Sequence, residues 1–248
     1  MQKIAAVIMA GGKGTRMKSE KPKVLHEIGG EPMIFHTIRN IQSLGISDIY
    51  TVVSYKAAEV TDTVLTKFKV EFAQQNEPLG TGDAVRSALE KMNQPYQTVL
   101  VVGGDDSAFY SPATLAELIA SHEDSKSVIT MMTLIDPEKE RMGKVFRTDN
   151  GEFDQLLEYS DYSRLQLSSS EVNCGVYLFD FAWLKENIGR IEKNSIKGEY
   201  FLTELMNMAK KQDKKINIFL LQNKSEWFGV NTPEELAEAN RLYMNKFQ

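Results

Sequence analysis

The chain of 248 residues carries 29 lysines and arginines against 34 aspartates and glutamates, a formal net charge of −5. Its 42% hydrophobic content suffices for a substantial core, while the acidic balance excludes a general nucleic-acid binder, which needs a basic face to neutralise phosphates. Cys174 stands alone, so no intrachain disulfide can form, and the scattered His26, His36 and His122 lack the cysteine partners of a zinc site.

From Lys3, "KIAAVIMA" is a continuous β-rich run, as a strand covered on both faces shows. It is too short to span a bilayer and lacks a signal-peptide layout, so a cytoplasmic location is expected. A charged stretch with glycines at both ends follows, "MAGGKGTRMKSEKPKVLHEIGG" from Met9. Only then does a helix begin: "PMIFHTIRNIQSL" from Pro32 has helical apolar spacing, a proline in its first turn and Gly45 as its stop. "DIYTVVS" from Asp48 predicts the next strand, and a polar helical stretch follows from about Lys56. The strand "FKVEFAQ" at Phe68, the helix "GDAVRSALEKM" at Gly82 and the strand "TVLVVGGD" at Thr98 continue the alternation. Ser111-Pro112 caps the helix "ATLAELIASH", and "SVITMMTL" from Ser127 is again a strand, with Met131 and Met132 expected in the core.

Alternation of this kind implies crossover connections and a mostly parallel, Rossmann-like α/β sheet with helices on both faces. The second half is less regular. "KVFRT" and "FDQLLEYS" read as short strands flanking the "DNG" turn at Asp149. The strand "EVNCGVYLFD" at Glu171, the helix "FLTELMNMAKK" at Phe201 and the strand "INIFLL" at Ile216 come next. "TPEELAEANRLYMNKF" ends the chain as a helix with Thr232 at its N-cap, Pro233 at the first helical position and Glu235 closing a capping box. No repeat, low-complexity tract or composition break marks a linker. One domain over 1–248 with an inserted substrate-facing region is therefore expected.

The stretch after the first strand fails two familiar phosphate-loop patterns. A Walker A loop needs Gly-Lys followed by Ser or Thr at the head of a helix, whereas Gly12-Lys13 is followed by Gly14. A dinucleotide fingerprint needs a third glycine where Met17 stands. A solvated surface turn is the plain alternative. Length counts against it, because about twenty residues separate strand from helix where about two to six suffice. The stretch also leaves the carboxyl end of a strand, where open α/β sheets bind ligands. Glycines there let backbone N–H groups approach phosphate oxygens, and Lys13, Arg16 and Lys23 supply charge. A nucleotide-phosphate cradle is the better reading. In "VVGGDD", Asp105 lies just past a strand, and beside a triphosphate its carboxylate suits a shared Mg²⁺, although Asp is also a standard turn former. Asn231 in "FGVNTPEE" has a similar place, or serves as a second capping residue.

In order along nearly the whole chain, "GGKGTRM", "KPKVLHEIGG", "QQNEPLGTGDAV", "GGDD", "RMGKV", "LLEYSD", "EVNCGVYLF", "GEYFLTEL" and "FGVN" closely resemble the sugar-1-phosphate nucleotidylyltransferase family. The similarity is greatest to its uridylyltransferase branch, which makes UDP-N-acetylglucosamine. The resemblance implies the nucleotide-diphospho-sugar transferase fold, with a nucleotide-binding part over about 1–110, a sugar-phosphate-binding part over about 111–231 and a terminal helix over 232–248. It further implies that UTP and N-acetylglucosamine-1-phosphate combine with release of pyrophosphate and with Mg²⁺ as cofactor. Ala10, Gly11, Gly12, Lys13, Gly14 and Thr15 resemble the triphosphate loop, with Gly104 beside it. Arg16 resembles the residue that steadies the leaving pyrophosphate, and Lys23 the lysine at the reacting centre. Gln75 with Gly80 and Thr81 resembles the pyrimidine reader, an amide fitting that task because it can donate to a uracil carbonyl and accept from the ring N–H. Asp105 and Asn231 resemble the Mg²⁺ pair, and Gly143, Glu158, Asn173 and Thr203 the sugar-phosphate pocket.

The chain departs from the family in places. "GDDSAFY" replaces the usual small apolar residues and proline after the metal aspartate, which makes Asp106 either an extra candidate beside the metal or a solvated or capping residue. "EYSDY" replaces the usual lysine-aspartate pair near the sugar. Bifunctional members continue into a β-helix of hexapeptide repeats that acetylates the sugar amine. This sequence carries no such repeats, so acetyl transfer by that route is not expected of it. The alternatives are a thymidylyl-, cytidylyl- or uridylyltransferase for another sugar such as glucose-1-phosphate, or a non-catalytic nucleotide-sugar binder. A guanylyltransferase is disfavoured, since "RMKSEKPK" lacks the Trp-Pro continuation frequent in such enzymes. His26 and His36 read as structural and Cys174 as a small buried filler.

Overall fold

Along β1 (Ile4–Met9) the side chains alternate between two buried layers, Ala5 and Val7 entering one and Ala6 and Ile8 the other. Period-two geometry requires this of a strand covered on both sides. The computed structural model of the chain describes residues 3–105, 108–139 and 141–247. A small hairpin, β2 (Glu27–Ile28) and β3 (Glu31–Pro32), closes the long loop after β1 and leads into α1 (Met33–Ser43). Then follow β4 (Asp48–Val53), α2 (Ala57–Leu65), β5 (Glu71–Gln74), α3 (Thr81–Leu89), β6 (Thr98–Gly103), α4 (Pro112–Ser125) and β7 (Ile129–Ile135). The second half comprises β8 (Lys144–Arg147), β9 (Phe153–Leu157), α5 (Tyr159–Tyr162), β10 (Glu171–Asp180), α6 (Phe181–Asn187), α7 (Glu204–Lys211), β11 (Ile216–Leu220) and α8 (Pro233–Phe247).

The main sheet runs in the order β11-β7-β10-β6-β1-β4-β5, and every strand along it except β10 points the same way. β8 and β9 form an antiparallel flap joined to the start of β10. The result is the mixed, mostly parallel sheet of the nucleotide-diphospho-sugar transferase fold. Ile34, Ile38, Val60, Val64 and Leu118 bring α1, α2 and α4 onto one face. Val85, Leu89, Leu184, Leu205 and Met206 bring α3, α6 and α7 onto the other. Met131 and Met132 are buried in opposite layers, one under each set of helices. A third cluster, built from Met17, Ile28, Met33, Phe109, Val230 and Ala239, packs α8 against the glycine-rich loop and the segment after β6.

Three local differences from the sequence reading have clear causes. The strand expected over "FDQLLEYS" stops at Leu157, and Tyr159–Tyr162 turn into α5. α6 follows β10 directly because Asp180 is both the last strand residue and an N-cap, its carboxylate accepting from Trp183 N at 2.8 Å. α7 begins at Glu204 rather than Phe201 because residues 200–202 are held against the loop before α3. Tyr200 N donates to Leu79 O at 2.7 Å, Gly82 N to Tyr200 O at 2.8 Å and Leu202 N to Thr81 Oγ1 at 2.9 Å. Among the described residues no helix is long and apolar enough to cross a membrane.

Candidate active site

From β1 the chain passes to β4 on one side, whereas from β6 it passes to β7 on the other, so a topological switch point lies between β1 and β6. Open α/β sheets form their ligand crevice there, beyond the carboxyl ends of the strands. The parallel register pairs Met9 with Gly103, which brings the glycine-rich loop and Asp105 out side by side. Gly104 N donates to Met9 O at 3.0 Å and seals that junction. A cleft of about 530 Å³ opens above it, lined by Gly11, Gly12, Gly14, Thr15, Arg16, Lys23, Gln75, Gly80, Thr81 and Asp105. Pro78, Gly175 and Glu199 also line it. The latter two lie inside "EVNCGVYLF" and "GEYFLTEL", but nothing in those runs distinguishes them from their neighbours.

The loop is doubled back on itself. Gly14 has φ +64°, and a Cβ there would come within 2.8 Å of Lys23 Cβ, so only glycine lets the two ends of the loop lie together. Buried Met17, Val24 and Leu25 anchor the turns that carry Arg16 and Lys23. Lys23 Nζ forms an ion pair with Asp105 and donates to Asn231 Oδ1 at 2.7 Å. Arg16 Nη2 donates to the same oxygen at 2.9 Å. Asn231 is delivered by the capping box of α8: Glu235 Oε2 accepts from Asn231 N at 2.6 Å and Thr232 N at 3.1 Å, and Thr232 Oγ1 accepts from Glu235 N at 3.2 Å. Thr232 is the cap, which leaves the Asn231 side chain to the cluster.

Asp105 and Asn231 thus direct two hard oxygen donors at one cation, the Lys23 ammonium standing where a divalent ion would be attracted. That donor chemistry fits Mg²⁺, which keeps waters and takes substrate phosphates as further ligands. Among the described residues no group of three or more His, Cys, Asp and Glu could hold a metal alone, so phosphate would have to complete the shell. Asp106 lies outside the described residues.

Other sequence candidates occupy supporting places. Ala10 is buried and donates its N–H to Val52 O at 2.8 Å. Lys13 Nζ lies 5.4 Å over the Tyr55 ring at the rim. Gly80 has φ +104°, and a Cβ there would meet Tyr200 O at 2.6 Å, so the loop before α3 can hug residues 199–200 only through glycine. Gln75 is buried at the end of β5 and donates its amide hydrogens to Gly80 O at 3.1 Å and Asp83 Oδ2 at 2.9 Å.

The four sugar-side candidates form a separate group at the same sheet edge. β10 is antiparallel, so its first residues, including Asn173, reach the edge where the other strands end. Asn173 N donates to Gly143 O at 2.9 Å, and a Cβ on Gly143 would lie 3.5 Å from Glu158 Oε1. Thr203 Oγ1 donates to Glu158 Oε1 at 2.9 Å, and Asn173 Oδ1 accepts from Gly175 N at 2.9 Å, linking this group to the main cleft. Glu158 is partly buried, with the Thr203 hydroxyl on its carboxylate. Its pKa is raised above 4.5, chiefly by desolvation and further by the charges of Asp161, Glu204 and Glu199, against the opposing Thr203 hydrogen bond.

A raised folded-state pKa contributes stability below 4.5 that is lost as pH rises through the folded value. Glu158→Gln keeps the Thr203 acceptor and removes the buried charge. It is therefore expected to raise the melting temperature near neutral pH, by a margin that shrinks as the pH falls toward 4.5. Thermal melts across pH check this. A lower melting temperature at neutral pH would refute it.

The remaining candidates are structural. His36 Nε2 lies 2.9 Å from Ile28 O, and His122 Nδ1 lies 2.8 Å from Thr130 Oγ1. Burial lowers the pKa of both rings and of His26. Cys174 is buried, and its carbonyl accepts from Trp227 Nε1 at 3.1 Å. A larger hollow of about 840 Å³, lined by Asp48, Tyr50, Glu71 and Tyr96 among others, opens beside the amino-terminal ends of β4 and β5. It holds none of the loops described above.

The chain is 35% identical over 241 residues to the bifunctional protein GlmU of Streptococcus agalactiae serotype III (strain NEM316), covering 97% of this chain and 52% of that protein. It is 33% identical over 248 residues to the same-named protein of Heliobacterium modesticaldum, covering 100% of this chain and 54% of the relative. The chain therefore spans about half the length of the curated relatives it matches. Among solved structures, a protein assigned as a glucose-1-phosphate thymidylyltransferase of Bacillus anthracis superposes with a TM-score of 0.81 at 20% identity, covering 97% of this chain and 95% of that one. HddC of Yersinia pseudotuberculosis, complexed with GMP-PN, superposes with a TM-score of 0.72 at 22% identity over the full length of both chains. Residues 5–246 match the family described as nucleotidyl transferase, and the chain belongs to that family.

Proposed function

We infer that the chain joins a nucleoside triphosphate to a sugar-1-phosphate with release of pyrophosphate, UTP and N-acetylglucosamine-1-phosphate being the preferred pair and Mg²⁺ the metal. The observation that carries this reading is the convergence of Lys23, Arg16, Asp105 and Asn231 at the mouth of the glycine loop. A binding module would need the glycines and one cation. The full set suits a centre where charge moves during reaction.

An oxygen of the sugar-1-phosphate attacks the α-phosphorus in line, the bond from that phosphorus to the bridging oxygen breaks, and pyrophosphate leaves with the electron pair. No protein nucleophile is required. The work is to bring together two anions that repel one another and to offset the charge on the leaving group. Backbone N–H groups of residues 11–15 hold the triphosphate, Arg16 faces the pyrophosphate end, and Lys23 lies between the α-phosphate and the incoming phosphate. Asp105 and Asn231 would hold the metal, which when bound would neutralise phosphate charge. Gly143, Glu158, Asn173 and Thr203 offer the acceptors and donors that sugar hydroxyls and an amide require.

Uracil and thymine present the same ring edge to Gln75, so a thymidylyltransferase for another sugar-1-phosphate is the second reading. A matrix of nucleoside triphosphates against sugar-1-phosphates, with Mg²⁺ and pyrophosphate release as the readout, separates them. Highest kcat/KM with UTP and N-acetylglucosamine-1-phosphate is expected. Preference for a purine triphosphate would overturn the base-reading role of Gln75, and absence of pyrophosphate release with every pair would overturn catalysis.

A further inference from the structure

Building on the pyrimidine-triphosphate reading above, we propose that Asp83 is the positioning residue for base choice. It forces the Gln75 amide to meet the base through its oxygen alone, which selects a base with a ring N–H, uracil or thymine, over cytosine.

Asp83 and Gln75 are both buried, at 6% and 5% exposure, so solvent cannot stand in for a lost partner. The Asp83 carboxylate is ion-paired with Arg86, whose guanidinium lies 5.6 Å over the Tyr200 ring. Held in this way the carboxylate only accepts hydrogen bonds. One Gln75 amide hydrogen goes to Asp83 Oδ2 and the other to Gly80 O. Rotating the amide by half a turn would press its oxygen against both acceptors and lose both bonds. The orientation is therefore dictated by chemistry rather than by a choice between look-alike atoms.

What remains of the amide is Oε1, which has no hydrogen-bond partner among the described residues. It lies on the side of Gly11, where an added Cβ would come within 3.4 Å of it. N3 of uracil or thymine carries a hydrogen and can donate to Oε1. N3 of cytosine carries a lone pair, so two desolvated acceptors would face each other. The donor half of the glutamine, which could have met a carbonyl of the base, is committed within the protein. The ordinary role of a carboxylate in the first turn of α3, favourable interaction with the helix N-terminus, would stabilise the fold but would not distinguish one base from another.

The test is the ratio of kcat/KM for UTP to that for CTP, read by pyrophosphate release from the purified chain at saturating sugar-1-phosphate and Mg²⁺. Asp83→Leu removes the acceptor at similar volume and is expected to lower the ratio at least about tenfold. Asp83→Asn, which can either accept from or donate to Gln75, is expected to lower it by less. A ratio unchanged within about twofold in Asp83→Leu, both nucleotides losing alike, overturns the proposal. Should that variant not fold, the same result in Asp83→Asn overturns it. A wild-type chain indifferent between UTP and CTP overturns it too, whereas one that uses neither overturns the function beneath it.

Discussion

Replacing Lys23 by alanine is expected to lower turnover by about 10²- to 10³-fold while the protein still folds, the scale seen when one preorganised donor is removed from a centre of developing charge. Lys23 is the only group bonded to both Asp105 and Asn231 among the described residues, and it is only 13% exposed. Its ammonium therefore acts in a place largely shielded from water, where a charge counts for more than on an open surface. The fold should tolerate the loss because Asp105 is 25% exposed and can take water in place of its partner. Val24 and Leu25, the neighbours that anchor this turn, stay buried. Lys23→Arg should recover only part of the activity, since a planar fork does not reproduce a compact point charge. Pyrophosphate release together with a thermal melt checks all three expectations. Near-normal turnover in a folded Lys23→Ala protein would remove Lys23 from the reacting centre.

The second large effect is expected at Asp105. Asp105→Asn keeps an oxygen for Lys23 but loses the anionic donor that a hard divalent cation favours. Turnover should fall by about 10²-fold or more, and the Mg²⁺ concentration giving half-maximal rate should rise. Binding of Mn²⁺ in the presence of nucleoside triphosphate, followed by its paramagnetic signal, provides a readout that does not depend on the chemical step. An unchanged Mg²⁺ requirement with near-normal turnover would rule Asp105 out as a ligand.

The glycine-rich loop illustrates how a candidate site can be proposed from sequence alone. Its length, which no simple connection needs, and its place after the first strand favoured a phosphate cradle with Lys13, Arg16 and Lys23 as its charges. The structure supplies the reason for that length: the loop runs out from β1, turns at Gly14 and returns so that Lys23 lies against it. The places of Asp83 and Glu199 were not legible in the same way. Asp83 stands in the first turn of a helix, where a carboxylate is ordinary, and only its contact with Gln75 sets it apart. Glu199 sits in a run of loop residues and gains its place by the pairing of Tyr200 with Leu79 and Gly82.

Properties encoded by short-range order could be read directly from the residues. Continuous apolar runs set which strands are covered on both faces, helical spacing set the face of α1, and Thr232 with Glu235 set the start of α8. Strand order and strand direction lie beyond such patterns, because a strand's periodicity is the same whichever neighbour it pairs with. Only the folded chain sets β6 beside β1, so that Asp105 emerges next to the glycine loop. Only the reversed direction of β10 brings Asn173 to the edge where the other strands end. The bond from Lys23 to Asn231 spans 208 residues of sequence. No local preference anticipates it, since long-range packing of α8 against the loop decides where that asparagine ends.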